Sequence, residues 1–304
     1  MALHELSILI PVYNFGVEKL VADLHSQLQK LMIAFEIRLY DDASTENFKA
    51  LNKAVEKYKG IIYRELPQNL GRSKIRNLLA KDAEYENLLF LDCDNEIIAG
   101  DYIQNYLDFG NELKVLVGGN AYYSQKPVEP KYRLHWLVGK KREEKRANVR
   151  NQNPFASFTL NNMLIKKSIY LAILLDESIK TYGHEDTKFG YGLQTKNIKV
   201  LHIDNPTYHI GLSENKDFLF KTKQAVNVLF EMVNKEGIGN QTGLYSTYSL
   251  LNKYKLAPIC LFILNFLDRP IVKNLLSATP NLLLFDLYKL MILLRLEREN
   301  TNLS

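Results

Sequence analysis

Cysteine and long apolar runs are what this chain has least of, and each shortage removes a class of protein. Its two cysteines, Cys93 and Cys260, argue against a disulfide framework, and neither has an obvious redox partner. The six histidines show no zinc spacing such as HExxH, so a structural zinc site is not expected either. The two most apolar stretches, Leu256 to Leu267 and Leu282 to Leu296, are too short or too interrupted by charge to span a bilayer. No charged-then-apolar leader stands at the start, where Ser7 to Val12 is only strand length; the expectation is a cytoplasmic protein, at most at the inner face of the cell membrane. A net charge of +5 with no recognition motif beside it gives no reason to expect nucleic acid. Internal repeats and low-complexity tracts are missing as well.

What remains is a chain with 46% hydrophobic residues, ample for a core, in a pattern of strand, helix and strand. Leu6 to Ile10 is a short apolar run that Pro11 brings to an end, followed by Leu20, Leu24, Leu28 and Leu31 at helical spacing. A second strand, Phe35 to Tyr40, ends in Asp41-Asp42-Ala43-Ser44, and a helix is predicted over Glu46 to Tyr58. A third strand, Ile61 to Leu66, leads through Asn69-Leu70-Gly71 into a helix carrying Arg72 and Arg76. Asn87 to Leu91, Val115 to Gly119 and Lys199 to Ile203 read as further strands. Parallel strands joined by helices present their carboxyl ends on one edge, where open α/β sheets bind ligands. Pro11 to Asn14, Asp41-Asp42 and Asp92-Cys93-Asp94 should all reach that edge.

Asp92 and Asp94 sit where a buried strand should surface. A chain turning out of a sheet can aim both carboxylates at one hard cation, and a magnesium or manganese ion so held completes its shell with phosphate oxygens and water. The ligand to expect is then a nucleotide diphosphate. Taken alone, such acids equally serve as helix caps or turn residues, and the same holds for Asp41 and Asp42. Glu185-Asp186 could be no more than the acidic first turn of a helix continuing through Phe189 and Leu193. A glycine turn opening a helix at Asn69-Leu70-Gly71 favours anions, with Arg72 and Arg76 nearby, although many such loops bind nothing.

In order, Pro11-Val12-Tyr13-Asn14, Asp41-Asp42-Ala43-Ser44, Asn69-Leu70-Gly71 with Arg76-Asn77, Asp92-Cys93-Asp94 and Glu185-Asp186 resemble the motifs of a family 2 glycosyltransferase. The resemblance covers about residues 5 to 212 and implies the GT-A fold: α/β, a Rossmann-like mixed sheet flanked by helices. It implies transfer of a sugar, with inversion, from a nucleotide-diphosphate donor to an acceptor hydroxyl on a saccharide or lipid-linked saccharide. Asp94 would be the direct ligand of Mn²⁺ or Mg²⁺, Asp92 a ribose or metal-water contact, and His209 a further metal or diphosphate contact. Asp186 would be the general base and Glu185 its orienting partner. Pro11, Tyr13, Asn14, Asn69, Gly71, Arg72 and Arg76 would line the nucleotide site. The pair Asp41 and Asp42 would read the base through a ring imide, which favours uridine. His184 beside the base motif and a lone His209 are equally readable as structural residues.

Two other classes compete. A nucleotidyltransferase should show a glycine-rich basic loop after its first strand, and Pro11-Val12-Tyr13-Asn14-Phe15-Gly16 is not one. A catalytically silent nucleotide-sugar-binding scaffold should lose the base, yet Glu185-Asp186 is retained beside Asp92 and Asp94.

Charge is uneven: Lys126 to Arg150 carries nine Lys or Arg against three Glu, either a basic arm near the acceptor side or a solvated, internally paired face. The catalytic domain is expected over residues 1–212. Residues 213–304 read as a helical appendage with breaks at Gly237, Gly239 and Gly243. Its two apolar runs suit packing or a homodimer first, and peripheral membrane contact second.

Overall fold

The computed structural model describes residues 3–109 and 115–303, with side chains to residue 300. Residues 1, 2 and 304, the ends of the expected domains, lie outside the described residues. Ten strands are described: β1 (Glu5–Val12), β2 (Ala34–Asp41), β3 (Ile61–Glu65), β4 (Asn87–Phe90), β5 (Asn95–Ile97), β6 (Val115–Val117), β7 (Asn120–Ala121), β8 (Met163–Lys166), β9 (Val200–His202) and β10 (Thr207–His209). They form a seven-stranded sheet in the order β3-β2-β1-β4-β8-β6-β9 and a three-stranded sheet in the order β5-β10-β7. Strands β1 to β4 run parallel, whereas β8 is antiparallel to both β4 and β6, which makes the large sheet mixed.

The period-2 alternation of β1 explains why its sequence is almost wholly apolar after Glu5, the exception being buried Ser7, whose hydroxyl donates to Glu36 Oε1 at 2.7 Å. Leu6, Ile8, Ile10 and Val12 face one core with Leu20, Val21, Leu24 and Leu28 of the helix Glu18–Leu28. Leu9 points the other way, into a second core with Leu79, Leu88, Phe90, Tyr170 and Phe189. A strand covered on both faces has no solvent side to mark with polar residues. Leu31, read as part of the first helix, falls in the turn beyond it. The helix expected over Glu46 to Tyr58 divides into an α-helix, Glu46–Asn52, and a 3₁₀ segment, Lys53–Lys57.

The chain separates into two compact units. One comprises Met1–Tyr122, Glu144–Lys180 and Glu185–Gly211 and holds both sheets. The other comprises Tyr123–Glu143, Thr181–His184 and Leu212–Ser304. Residues 123–143 and 181–184 thus group with the C-terminal helices although both precede residue 212. For the first segment the reason is apolar: Leu134 and Val138 are buried with Leu219, Leu261, Leu264, Phe285, Met291 and their neighbours.

The helical unit is built from Asn215–Glu236, Gly243–Lys253, Ala257–Leu275 and Leu282–Leu303, with the short helix Arg133–Val138. Gly237 ends the first long helix at φ +70°, a left-handed cap that favours glycine. Several cations of the basic stretch are paired within the fold. Arg142 pairs with Asp286, Lys131 with Glu214, and buried Arg150 donates to the Val117, Gly118 and Ile203 carbonyls. No helix among the described residues is long and apolar enough to cross a membrane.

Candidate active site

Parallel pairing sets three strand ends side by side. Val12 is in register with Asp41, and Leu9 with Phe90, so the loops after β1, β2 and β4 leave from one edge. Asn14, held at φ +48°, joins the first two: its N–H donates to Ser44 Oγ at 2.8 Å and its Oδ1 accepts from the Thr45 N–H at 2.9 Å. Pro11 is half-buried at the end of β1, and Tyr13 is exposed.

Asp41 and Asp42 are buried, and their carboxylates brace the edge from inside. Asp41 accepts from the Ser44 N–H at 2.6 Å and the Tyr63 hydroxyl at 3.1 Å. Asp42 takes the Leu70 N–H at 2.6 Å on one oxygen and the Gly71 N–H at 3.0 Å on the other, while Asn69 donates to the Asp42 carbonyl at 3.0 Å. Burial pushes the Asp42 carboxyl up even against those two N–H donors. In the folded chain Asp42 therefore pins the glycine turn that opens the helix Arg72–Asp82, and Asp41 ties the turn at Ser44 to Tyr63. Asp42→Asn would set an amide donor against one of the two N–H groups. The expected result is a loss of about 1–3 kcal/mol, the cost of an unsatisfied buried donor, with faster hydrogen exchange at Leu70 and Gly71; unchanged exchange there would refute the role.

The helix Arg72–Asp82 presents Arg72 and Arg76 one turn apart. Arg76 is buried; it donates to Asp92 Oδ1 and to the Arg72 carbonyl. Arg72 Nε donates to Glu185 Oε1 at 2.5 Å. These arginines are structural members of the site, more than the solvated charge that sequence alone allows. Burial works against an ionised Asp92, but Arg76 and Arg72 hold its carboxyl below the ordinary range.

Asp94 has a different setting. The antiparallel pairing of β5 with β10 places His209 opposite Asn95, and the His209 Nδ1 lies 3.5 Å from Asp94 Oδ1. That oxygen is buried and has no hydrogen-bond donor among the described residues. Burial pushes the Asp94 carboxyl up, against the opposing pull of His209. Gly211 closes over it: a Cβ there would stand 2.2 Å from Asp94 Oδ2. Asp92, Asp94 and His209, the three expected ligands, are therefore not gathered into one set. Asp92 turns to Arg76, and no cluster of three His, Cys, Asp or Glu metal ligands occurs among the described residues. The donor set left at Asp94 and His209, a hard oxygen and an imidazole, fits a Mg²⁺ or Mn²⁺ ion that draws its other ligands from phosphate and water. Cys93 between the two acids is no ligand candidate, since burial and Asp94 push its thiol up to about 12.

Glu185 and Asp186 open the helix Glu185–Thr195, whose positive end favours carboxylates. Phe189 and Leu193 anchor that helix in the second core, Phe189 stacking on Phe158 at 5.9 Å. Glu185 is buried; burial opposes its charge, but Arg72 holds its carboxyl low. Asp186 is pushed up to about 7 by burial and by Glu185. Arg72, Arg76 and Asp92 also act on Asp186, so base motif and strand-end acids share one electrostatic neighbourhood.

The profile described as glycosyl transferase family 2 matches residues 7–172. The chain belongs to that family. The chain is 28% identical over 223 residues to chondroitin synthase of Escherichia coli, a match that covers 62% of the chain but spans only 32% of that relative. Among solved structures it resembles residues 1–349 of Staphylococcus aureus TarS in complex with UDP-GlcNAc, at TM-score 0.51 and 16% identity, covering 97% of this chain and 92% of that one. It also resembles the mannosyltransferase PcManGT of Pyrobaculum calidifontis, in complex with GDP-Man and Mn²⁺, at TM-score 0.52 and 11% identity, covering 87% and 75%. At these identities the likeness supports the GT-A fold.

A buried amide network behind Asp92 is not evident from the sequence. Because β8 enters antiparallel where β4 leaves, the residues just before it sit beside the strand-end acids. Asn161 Oδ1 accepts from the Asp92 N–H at 3.0 Å and from Asn95 at 2.6 Å, and its amide donates to Asn120 at 3.0 Å. The only trace in the sequence is an Asn161-Asn162 pair ahead of an apolar run.

Proposed function

We propose that the chain is an inverting, metal-dependent transferase moving a sugar from a UDP-sugar to the hydroxyl of a saccharide or lipid-linked saccharide in cell-surface polysaccharide or glycolipid synthesis. The observation that carries this reading is the pairing, in one unit, of a buried Asp94 oxygen lacking a donor with an Asp186 carboxyl pushed up to about 7. One suits a cation and the other suits a proton acceptor. On this reading the reaction is carried within residues 1–212, by the unit that holds both sheets, and residues 213–304 supply most of the helical unit.

A cation held by Asp94 with His209 would neutralise charge on the departing diphosphate. Arg76 keeps Asp92 ionised and fixed, available to the ribose or to metal-bound water. Exposed Tyr13, Asn14 and the turn Asn69-Leu70-Gly71 frame the nucleotide, with the base beside Asp41 and Asp42. The acceptor oxygen attacks the anomeric carbon as the bond to the diphosphate breaks. The leaving group takes the bonding electrons, and Asp186 takes the acceptor proton. Glu185, tied to Arg72, orients Asp186 and raises its affinity for that proton.

The TarS structure with UDP-GlcNAc supports uridine, and the mannosyltransferase structure with Mn²⁺ supports a divalent ion. The name chondroitin synthase supports a polysaccharide product. Calorimetry of UDP, GDP, CDP and ADP, each with manganese and with chelator, tests the reading. Manganese-dependent preference for UDP is expected. Preference for GDP would overturn the donor assignment, and no binding of any of the four would overturn the reading in favour of a different activity.

A further inference from the structure

The helix Ala257–Leu275 has two apolar faces, and one is uncovered. Leu261, Leu264, Ile271 and Leu275 recur at spacings of three, four and seven and are buried in the helical core. On the other side Ile259 is 59% exposed, Phe262 77%, Ile263 51% and Phe266 84%. These four, at i, i+3, i+4 and i+7, form one continuous stripe. Leu250, Tyr254 and Leu256, just ahead of the helix, are exposed too. Aromatic rings so open to water are seldom retained on a surface unless something covers them.

Charge identifies the cover. From residue 250 to 276 the chain carries Lys253, Lys255, Arg269 and Lys273 against a single acid, Asp268. Asp268 is engaged inside the unit, where it takes the Arg295 guanidinium at 2.8 Å. All four cations are exposed, and Arg269 and Lys273 follow the stripe at its C-terminal end. Long basic side chains beside an apolar stripe are suited to lie along it and reach phosphate. A second copy docked on the same stripe would bring four more cations and no exposed acid from this segment, so like charges would oppose it. An anionic lipid surface meets both the apolar stripe and its basic flanks.

We propose that Ile259, Phe262, Ile263 and Phe266 seat the protein in the interfacial layer of an anionic membrane, with Lys253, Lys255, Arg269 and Lys273 on lipid phosphates. The stripe is short and the helix also serves the core, so the contact is peripheral and reversible. It stands whether or not the transfer reaction is as described above.

Sedimentation of the full chain with phosphatidylcholine vesicles, and with vesicles containing phosphatidylglycerol, tests it. Binding to the anionic vesicles is expected, weakening as salt rises. Phe262→Ser with Phe266→Ser should lower vesicle affinity by about tenfold or more, in line with two aromatic rings withdrawn from the interface. Arg269→Gln with Lys273→Gln should lower it several-fold and flatten the salt dependence. The replaced side chains lie on the surface, so unfolding temperature and UDP binding should not change in either variant. Absence of binding to anionic vesicles, equal binding to both kinds, or wild-type binding by the double serine variant would overturn the proposal. Self-association abolished by the serine pair, without vesicle binding, would overturn it in favour of an interface between copies.

Discussion

Asp186→Asn is expected to cut turnover by about 10²- to 10⁴-fold, the usual cost of losing a general base, while leaving the affinity for UDP with manganese nearly unchanged. Asparagine keeps the shape and the helix N-terminal position but has no lone pair basic enough to take the acceptor proton. A pH profile separates that loss from simple disorder. Burial and Glu185 push Asp186 up to about 7, and only the deprotonated form is a base. In the wild type kcat/KM should therefore fall as pH drops through about 7, and in Asp186→Asn the residual activity should show no such limb. Glu185→Gln removes a neighbouring negative charge, so the limb should move to lower pH. Replacing Arg72 with glutamine removes a positive charge and should move it higher. A limb that stays in place in both variants would show that another group governs it.

The strands of the large sheet that carry the edge were legible because burial on both faces leaves mainly apolar runs, as in Ile8 to Ile10 and Leu88 to Leu91. Turn chemistry marked the edge itself: Asp41-Asp42 closes β2 and Gly71 opens the helix Arg72–Asp82, whereas Pro11, read as the end of the first strand, lies inside β1, which stays paired to Val12 because a proline still offers its carbonyl to the ladder. Pairwise geometry was not legible. Asp92 and Asp94, two residues apart, read as one cation site, yet the fold gives Asp92 to Arg76 and leaves Asp94 to His209. That division depends on the helix Arg72–Asp82 and on the β5-β10 pairing, and both partners are distant in sequence. Asn161 was invisible for the same reason, since only the antiparallel entry of β8 brings it to the Asp92 N–H. Asp41 and Asp42 illustrate a limit of motif reading: residue type and position were seen, but not that protein N–H and hydroxyl donors meet their carboxylates. Along the basic stretch, Leu134 and Val138 settle the local fold, and a count of lysines and arginines says nothing of where two leucine-sized side chains are buried.

Asp94→Ala should abolish transfer and lower manganese-dependent affinity for UDP by at least about 100-fold, since loss even of a group that only orients a metal ligand costs 10- to 100-fold. Binding measured with chelator should change little, because the nucleotide frame of Asn14, Asp42 and Arg76 does not include Asp94. Equal loss of UDP affinity in Asp94→Ala and Asp186→Asn would refute the separation of cation and base. Gly211 supplies a second route to the same defect. A methyl group there would stand 2.2 Å from Asp94 Oδ2, so Gly211→Ala must displace the carboxylate and should reproduce part of the loss without touching a charged group. Stability gives a readout that does not involve activity. Burial of Asp94 Oδ1 without a hydrogen bond penalises the charged carboxyl, so Asp94→Asn should raise Tm in chelator even as it destroys manganese binding. A gain of 1 kcal/mol would appear as roughly 2–4 °C. A lowered Tm would mean that His209 and the backbone stabilise the carboxylate by more than burial costs it, and that it is not reserved for a cation.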